Sequence, residues 1–228
     1  MTRHRFVQLL QHFLHEKHLR IRILVSLASL LIVGACNESG GTNATETTGA
    51  APSICNGFGI WQDSDYVLPY AVGEMYRVNQ GNCSGFGHSD FWSYGYDFEM
   101  PIGTVVTAAR DGIVDHAQDG ARDGDRTRTN LITIQHDDDT VALYSHLTLN
   151  GVHVTIGQPV LAGDTIGMSG DTGNTGGLPH LHFSLHPCGS LPGLPGSDNC
   201  PSIPANFRNT DANPDGLIAG RTYIAGAF

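Results

Sequence analysis

The stretch "LITIQHDDDTVALYSHL" (residues 131–147) contains two short apolar runs on either side of an acidic turn. Each run has the length of a strand and is rich in residues that favour strands. Similar runs separated by Gly and Asp recur along the chain: "TVVTAA" (104–109), "GIVDHA" (112–117), "VTIGQPVLAGDTIGMSG" (154–170) and "HLHFSLH" (180–186). Turn signals at intervals of about eight to twelve residues, with no convincing helical period after residue 37, predict an all-β sandwich or barrel.

The first 36 residues predict export. A basic segment (1–22) precedes the apolar run "ILVSLASLLIVGA" (23–35) and then Cys36, which is the pattern of a secretory signal. "VGAC" also resembles the bacterial lipobox, in which the cysteine is lipidated and becomes the mature N-terminus. The alternative is an ordinary signal peptide with an incidental cysteine. We expect a periplasmic lipoprotein anchored at Cys36, and Asn37 favours the outer membrane because the aspartate associated with inner-membrane retention is missing.

Composition divides the rest of the chain into a tether and one domain. Residues 37–54, "NESGGTNATETTGAAPSI", offer almost nothing to bury, which predicts a flexible tether. Residues 55–228 have the size of a single domain. Its tail, 187–228, is rich in Pro, Gly and Asn near its start, and we expect it to wrap the core as ordered loop.

The charge balance excludes nucleic acid as a partner. Five of the 12 Lys and Arg residues and one of the 22 acidic residues precede Cys36, so the mature chain has seven basic and 21 acidic residues and a formal net charge of −14. Binding to nucleic acid depends on neutralising phosphates with Lys and Arg. An anionic substrate would therefore be held by a groove or a metal rather than by a basic surface.

Four cysteines remain after Cys36: Cys55, Cys83, Cys188 and Cys200. An even number in an exported chain predicts two disulfides, for which three connectivities exist. We favour the sequence-near pairs, Cys55–Cys83 and Cys188–Cys200, each bracing one flank of the domain. A four-thiolate zinc site is the alternative, but the sequence lacks the close CxxC spacing of such sites.

Histidines carry the candidate chemistry. His180 and His182 are two apart in a segment that reads as a strand, so their side chains leave the same face. A bare HxH is more often a pair of surface histidines than a site. The context favours a site, because a glycine-rich turn precedes the pair, "YSHL" offers His146 on the same strand face as Tyr144, and Asp97 lies in an apolar frame where an unpaired carboxylate would be costly.

The motifs "YDFEMPIGTVVTAARDGIV", "TVALYSHL", "VTIGQPVLAGDTIGMSGDTG" and "GGLPHLHFSL" resemble, in this order and spacing, the lysostaphin-type zinc metallopeptidases, which are cell-wall endopeptidases and include the β-lytic enzymes. The resemblance covers roughly residues 86–186. It implies a small antiparallel β domain of the duplicated hybrid motif type with a groove. It also implies one zinc ion bound by two histidines and an aspartate. On this pattern Asp97 and His182 are ligands, while His146 and His180 are the unligated catalytic pair.

The chain departs from that family at the first ligand. The usual histidine lies four residues before the aspartate, and Ser93 occupies that position here. Either the site has lost a ligand, or a histidine further back replaces it. His88, nine residues before Asp97, is the only upstream histidine after Cys36, and eight intervening residues can easily fold back. We favour His88 as the third ligand.

Three functions remain. The first is a monomeric zinc endopeptidase that cuts peptide cross-links through the stem peptides of peptidoglycan. The second is a metal-free peptidoglycan-binding protein or hydrolase activator with a degenerate site, expected if His88 points away from Asp97. The third is a phosphocarrier domain of the sugar-transport type, which the export signal disfavours. The other histidines receive plain interpretations: His116, His136 and His153 as solvated residues, and His186 as a core or supporting residue rather than a ligand.

Overall fold

The computed structural model describes residues 55–85, 87–190 and 200–228. The predictions of a signal peptide, a lipidated Cys36 and a tether fall on residues outside this part of the chain. Within it no helix is both long enough and apolar enough to span a membrane.

Ten strands, all paired antiparallel, make up the fold, and the described residues contain two short 3-10 turns but no α-helix. The strands are β1 (Met75–Gln80), β2 (Tyr96–Phe98), β3 (Val105–Thr107), β4 (Gly112–Gln118), β5 (Asn130–Gln135), β6 (Val141–Val152), β7 (Pro159–Val160), β8 (Thr165–Ser169), β9 (Leu181–His186) and β10 (Thr222–Ile224). The prediction of an antiparallel all-β fold is therefore confirmed.

The main sheet has the order β10-β1-β2-β9-β6-β5-β4-β7, and β8 pairs with both β3 and β6. The sheet does not close on itself among the described strands. The stretch 131–147 supplies all of β5 except its first residue and the first seven of the twelve residues of β6. The two strands pair from Gln135↔Val141 to Asn130↔Leu147. Burial explains their composition, since both runs contribute to the core.

The core places aromatic side chains on one face of β2, β6 and β9. Tyr96, Phe98, Tyr144 and Phe183 are fully buried there. Because side chains alternate along a strand, the residues between them face the opposite side of the sheet. Asp97 on β2 and His182 on β9 are two such residues, and they lie directly opposite each other in the β2–β9 register.

The C-terminal tail contributes to this core. Phe207 is fully buried and its ring contacts those of Tyr96, Phe98 and Phe183, and burying such a side chain contributes about 2–3 kcal/mol. The tail then adds β10 to the edge of β1. Disulfides join Cys55 to Cys83 and Cys188 to Cys200. The second disulfide attaches the tail at Cys200 to Cys188, two residues after the end of β9.

Candidate metal centre

Asp97, His182 and His88 converge on one face of the sheet. Nδ1 of His182 lies 2.9 Å from Oδ1 of Asp97. Nε2 of His88 lies 3.2 Å from the same oxygen and 3.3 Å from Nδ1 of His182. The three side chains are almost fully buried. They form the one group of candidate metal ligands found in the described part of the chain.

His88 reaches this cluster from the loop that follows β1. Its Nδ1 lies 2.9 Å from the carbonyl oxygen of Gly81, and since a carbonyl only accepts, Nδ1 carries the proton. In the neutral ring, Nε2 is then a lone pair aimed at Oδ1 of Asp97, which is also an acceptor. Two acceptors at that separation repel each other unless they share a cation, either a proton or a metal ion.

The donor set fits zinc, and two of its three spacings are shorter than a tetrahedral site requires. Tetrahedral zinc binds nitrogen and oxygen at about 2.0–2.2 Å, which places donor atoms about 3.3–3.6 Å apart. The three separations here are 3.3, 3.2 and 2.9 Å. Two imidazoles and one carboxylate are also a ligand set of catalytic zinc sites, in which a fourth position is left for water. The hydroxyl of Ser93, at the family's usual ligand position, instead donates to the carbonyl of Asp90.

His180 lies at the edge of the cluster. It precedes β9 and shares the face of His182, as the alternation of the strand predicts. Its Nδ1 donates to the carbonyl of Leu178 at 2.7 Å, while Nε2 lies 3.6 Å from Oδ1 of Asp97. The backbone contact therefore leaves the unprotonated nitrogen of the ring on the side of the cluster.

His146 reaches the same place through a β-bulge. Leu131 pairs with Ser145 and Asn130 with Leu147, so His146 is the extra residue of β6, and its φ is +67°. The bulge turns its ring onto the face of the cluster, 4.7 Å from the ring of His180. Tyr144 faces the core. The prediction that Tyr144 and His146 share a face is therefore wrong, because a bulge breaks the alternation on which it relied.

Burial and neighbouring charges set the protonation of these groups. Burial would raise the pKa of Asp97, but in the metal-free site protons shared with His182 and His88 outweigh that effect and hold the pKa well below its usual range. Burial lowers the pKa of His146 to about 3, and repulsion from His180 and His182 adds to this. Burial likewise lowers the pKa of His182, against the opposing effect of Asp97. His146 is therefore neutral at ordinary pH.

Gly95 makes room for His88. A Cβ at this position would lie 2.7 Å from Cε1 of His182 and 3.1 Å from Nε2 of His88. Any side chain here would displace one of the two rings. The role of Gly95 was not predicted from the sequence, although a glycine beside a strand often marks the close approach of another group.

The remaining histidines differ partly from their predictions. His136 is only 4% exposed and His116 is half-buried, so the prediction that both are solvated is wrong. Nδ1 of His136 donates to the carbonyl of Asp111, and the ring packs edge-on against Tyr66. His153 is exposed. His186 is fully buried, with Nδ1 at the carbonyl of Cys200 and Nε2 at the hydroxyl of Ser184, so both of its nitrogens are used internally.

Comparison with known proteins finds similarity in the part of the chain that contains Asp97 and His182. The profile of Peptidase family M23 matches residues 92–191. An "Uncharacterized metalloprotease" of Buchnera aphidicola is 41% identical over 120 residues, which are 53% of this chain and 29% of that protein. "Peptidoglycan DD-endopeptidase ShyA" of Vibrio cholerae is 41% identical over 91 residues, 40% of this chain and 19% of that protein.

A third relative, "Outer membrane antigenic lipoprotein B" of Haemophilus influenzae, is 29% identical over 161 residues, 68% of this chain and 38% of that protein. The chain thus matches well under half the length of each of these relatives. The family profile includes Asp97, His146, His180 and His182 but begins four residues after His88. The resemblance predicted from the sequence motifs is confirmed over the matched segment.

Proposed function

Since the profile of Peptidase family M23 matches residues 92–191, we propose that this chain is a zinc-dependent endopeptidase that hydrolyses peptide cross-links of peptidoglycan. One observation carries the proposal. The donor atoms of His88, Asp97 and His182 lie within 3.3 Å of one another, and two further histidines with fixed Nδ1 protons flank them.

In this proposal His88, Asp97 and His182 would hold one zinc ion per chain, through Nε2, Oδ1 and Nδ1 respectively. When bound, zinc would supply Lewis acidity and lower the pKa of water to about 7. The carbonyl of Gly81 orients the ring of His88 and fixes its tautomer. Such outer contacts typically change metal affinity or activity by about 10- to 100-fold.

His146 and His180 move the protons. Each donates Nδ1–H to a backbone carbonyl, that of Thr172 or of Leu178, so each presents an unprotonated Nε2. One of these nitrogens accepts a proton from the attacking water, and the imidazolium so formed returns it to the leaving amine. The second histidine donates a hydrogen bond to the developing oxyanion only when it is protonated. Burial and repulsion from neighbouring histidines keep His146 neutral, so its Nε2 is free to accept a proton.

The substrate and location rest on the relatives and the N-terminal sequence. One relative is named a peptidoglycan DD-endopeptidase and another an outer membrane lipoprotein. Together with the motif "VGAC" at 33–36, these names support an enzyme that is anchored through Cys36 to the outer membrane and faces the periplasm. There it would act on the stem peptides of the wall.

A metal-free binding protein is not favoured. That alternative predicts a His88 that points away from Asp97, whereas Nε2 of His88 faces Oδ1 of Asp97 at 3.2 Å.

Digestion of purified peptidoglycan tests the proposal. We expect the zinc-loaded chain to convert cross-linked peptide dimers to monomers, each cleavage adding one water to the summed product mass and one new amino group. His180→Ala, which leaves the three proposed ligands intact, should bind the wall without cutting it. A parent chain that binds zinc yet releases no fragment from any cross-linked wall would contradict the proposed function.

A further inference from the structure

The loop between β4 and β5 contacts the segment that precedes β9. Nη1 and Nη2 of Arg126 donate to the two carboxylate oxygens of Asp171, at 2.9 and 3.1 Å. Nη1 also lies within hydrogen-bonding distance of the carbonyl of Gly173, at 3.4 Å, and of the hydroxyl of Thr175. A guanidinium that binds a carboxylate through both nitrogens fixes direction as well as distance. Arg126 therefore clamps residues 171–175 from one side.

Thr172 lies inside this clamped segment and holds His146. Its carbonyl oxygen lies 2.6 Å from Nδ1 of His146. Its hydroxyl donates to the carbonyl of Leu147 at 2.7 Å and accepts from the backbone N–H of Asn130 at 3.0 Å. Thr172 is completely buried. The tautomer and orientation of His146 thus depend on a carbonyl one residue away from the carboxylate that Arg126 binds.

The position of the His146 ring depends on contacts with other residues, because the backbone conformation of His146 is not favourable by itself. A non-glycine residue with a φ of +67° occupies a sparsely populated conformation, which persists only where surrounding contacts impose it. The contact with Thr172 supplies one of these constraints. Asp123 supplies another, since it accepts from the backbone N–H of Asp171 and from the hydroxyl of Thr148.

We propose that Arg126 is a positioning residue for His146, acting through Asp171 and the carbonyl of Thr172 without touching the reacting atoms. The kinetic consequence of this inference rests on the proposed function. The contacts that link Arg126 to His146 do not depend on that function. Arg126 is part of the family-matched segment. The hydrogen bonds from Arg126 lower the pKa of the Asp171 carboxyl, which therefore stays charged and paired with the guanidinium.

The test compares Arg126→Gln with Arg128→Gln in the full chain. Both substitutions remove one positive charge from the same loop, but Arg128 pairs with Asp125 instead. In ¹H–¹⁵N spectra of the histidine rings, we expect the parent and Arg128→Gln to show His146 as a single Nδ1–H tautomer. Arg126→Gln should show exchange between two tautomers. A single unchanged tautomer in Arg126→Gln would overturn the proposal.

Kinetics on a soluble cross-linked peptide separate positioning from substrate binding. We expect kcat of Arg126→Gln to fall about 10- to 100-fold, the scale of a small misplacement of a catalytic group, with KM within twofold of the parent. Arg128→Gln should retain both constants. A rise in KM with unchanged kcat would overturn the proposal, because Arg126 would then bind substrate.

Arg126→Lys guards against misfolding of the Gln variant. An ammonium keeps the charge but cannot bind Asp171 as a planar fork, so kcat should lie between the parent and Arg126→Gln, and full recovery would overturn the positioning role. If the parent hydrolysed nothing, the proposed function would fail, while the tautomer spectra would still decide the role of Arg126.

Discussion

Two groups of histidines are equally buried in this domain and differ in what their nitrogens contact. His88 and His182 are 2% and 7% exposed, while His136 and His186 are 4% and 0% exposed. In the first group, one nitrogen of each ring meets a carboxylate oxygen and the other imidazole. In the second group, Nδ1 of each ring donates to a backbone carbonyl, at Asp111 or Cys200. Convergence of lone pairs, rather than burial, marks the candidate site.

His182 and His186 make the comparison within one strand. They lie four residues apart on β9, so alternation places them on the same face. His186 is stacked on Phe91 and hydrogen-bonded to Ser184 and Cys200. Nε2 of His182 has no hydrogen-bond partner among the described residues. One ring is a structural link to the tail and its disulfide, and the other offers its Nδ1 to Asp97.

Substitution of the non-ligand histidines should produce the largest effect. We expect His180→Ala or His146→Ala to lower kcat by about 10²- to 10⁴-fold, the usual contribution of a general acid or base, with zinc content unchanged. The matched control is His186→Gln, a substitution on the same strand face, which should retain kcat within a few-fold. Equal losses in His180→Ala and His186→Gln would erase the distinction between the two groups.

Gly95→Ala should weaken metal binding without removing a ligand. The added methyl group would push His88 or His182 from its place, and disturbance of ligand orientation typically costs about 10- to 100-fold in affinity. Competition with a zinc chelator measures the change. Gly103→Ala is a poor control because its φ is positive, whereas Gly59→Ala meets no atom within 4 Å and should leave the affinity unchanged. Unaltered affinity in Gly95→Ala would show that His88 does not need this space.

His186, a member of the second group, should make the free energy of unfolding depend on pH. Burial lowers the pKa of His186 from 6.5 to about 4. The unfolded chain therefore binds more protons than the folded chain between these two values. The contribution of His186 to stability is fully present above pH 6.5 and is lost as the pH decreases toward 4. We expect His186 to contribute a loss of about 2 kcal/mol between pH 7 and pH 5.

Urea unfolding of the metal-free chain at both pH values measures this loss, and His186→Gln should reduce the difference. An identical difference in the variant would show that His186 is not held neutral by the fold.

Sequence reasoning succeeded where the geometry is local and failed where distant segments meet. Strand alternation is enough to place His180 and His182 on one face. Alternation could not predict which face the side chain of His146 occupies, because the bulge exists only in the pairing of β5 with β6. The clearance at Gly95 depends on a loop returning across β2, and the burial of His136 depends on Tyr66, which lies 70 residues earlier. None of these features can be predicted from the residues that are adjacent in the sequence.

Zinc stoichiometry of the full chain, measured beside His88→Ala and His186→Gln, is the direct test of a metal site built from His88, Asp97 and His182. We expect about one zinc per chain in the parent and in His186→Gln. We expect His88→Ala to lose both zinc and peptidoglycan hydrolysis, because only His88 completes the three-ligand set in the absence of a histidine at position 93. Zinc and hydrolysis that survive His88→Ala would contradict this site and would require a different third ligand.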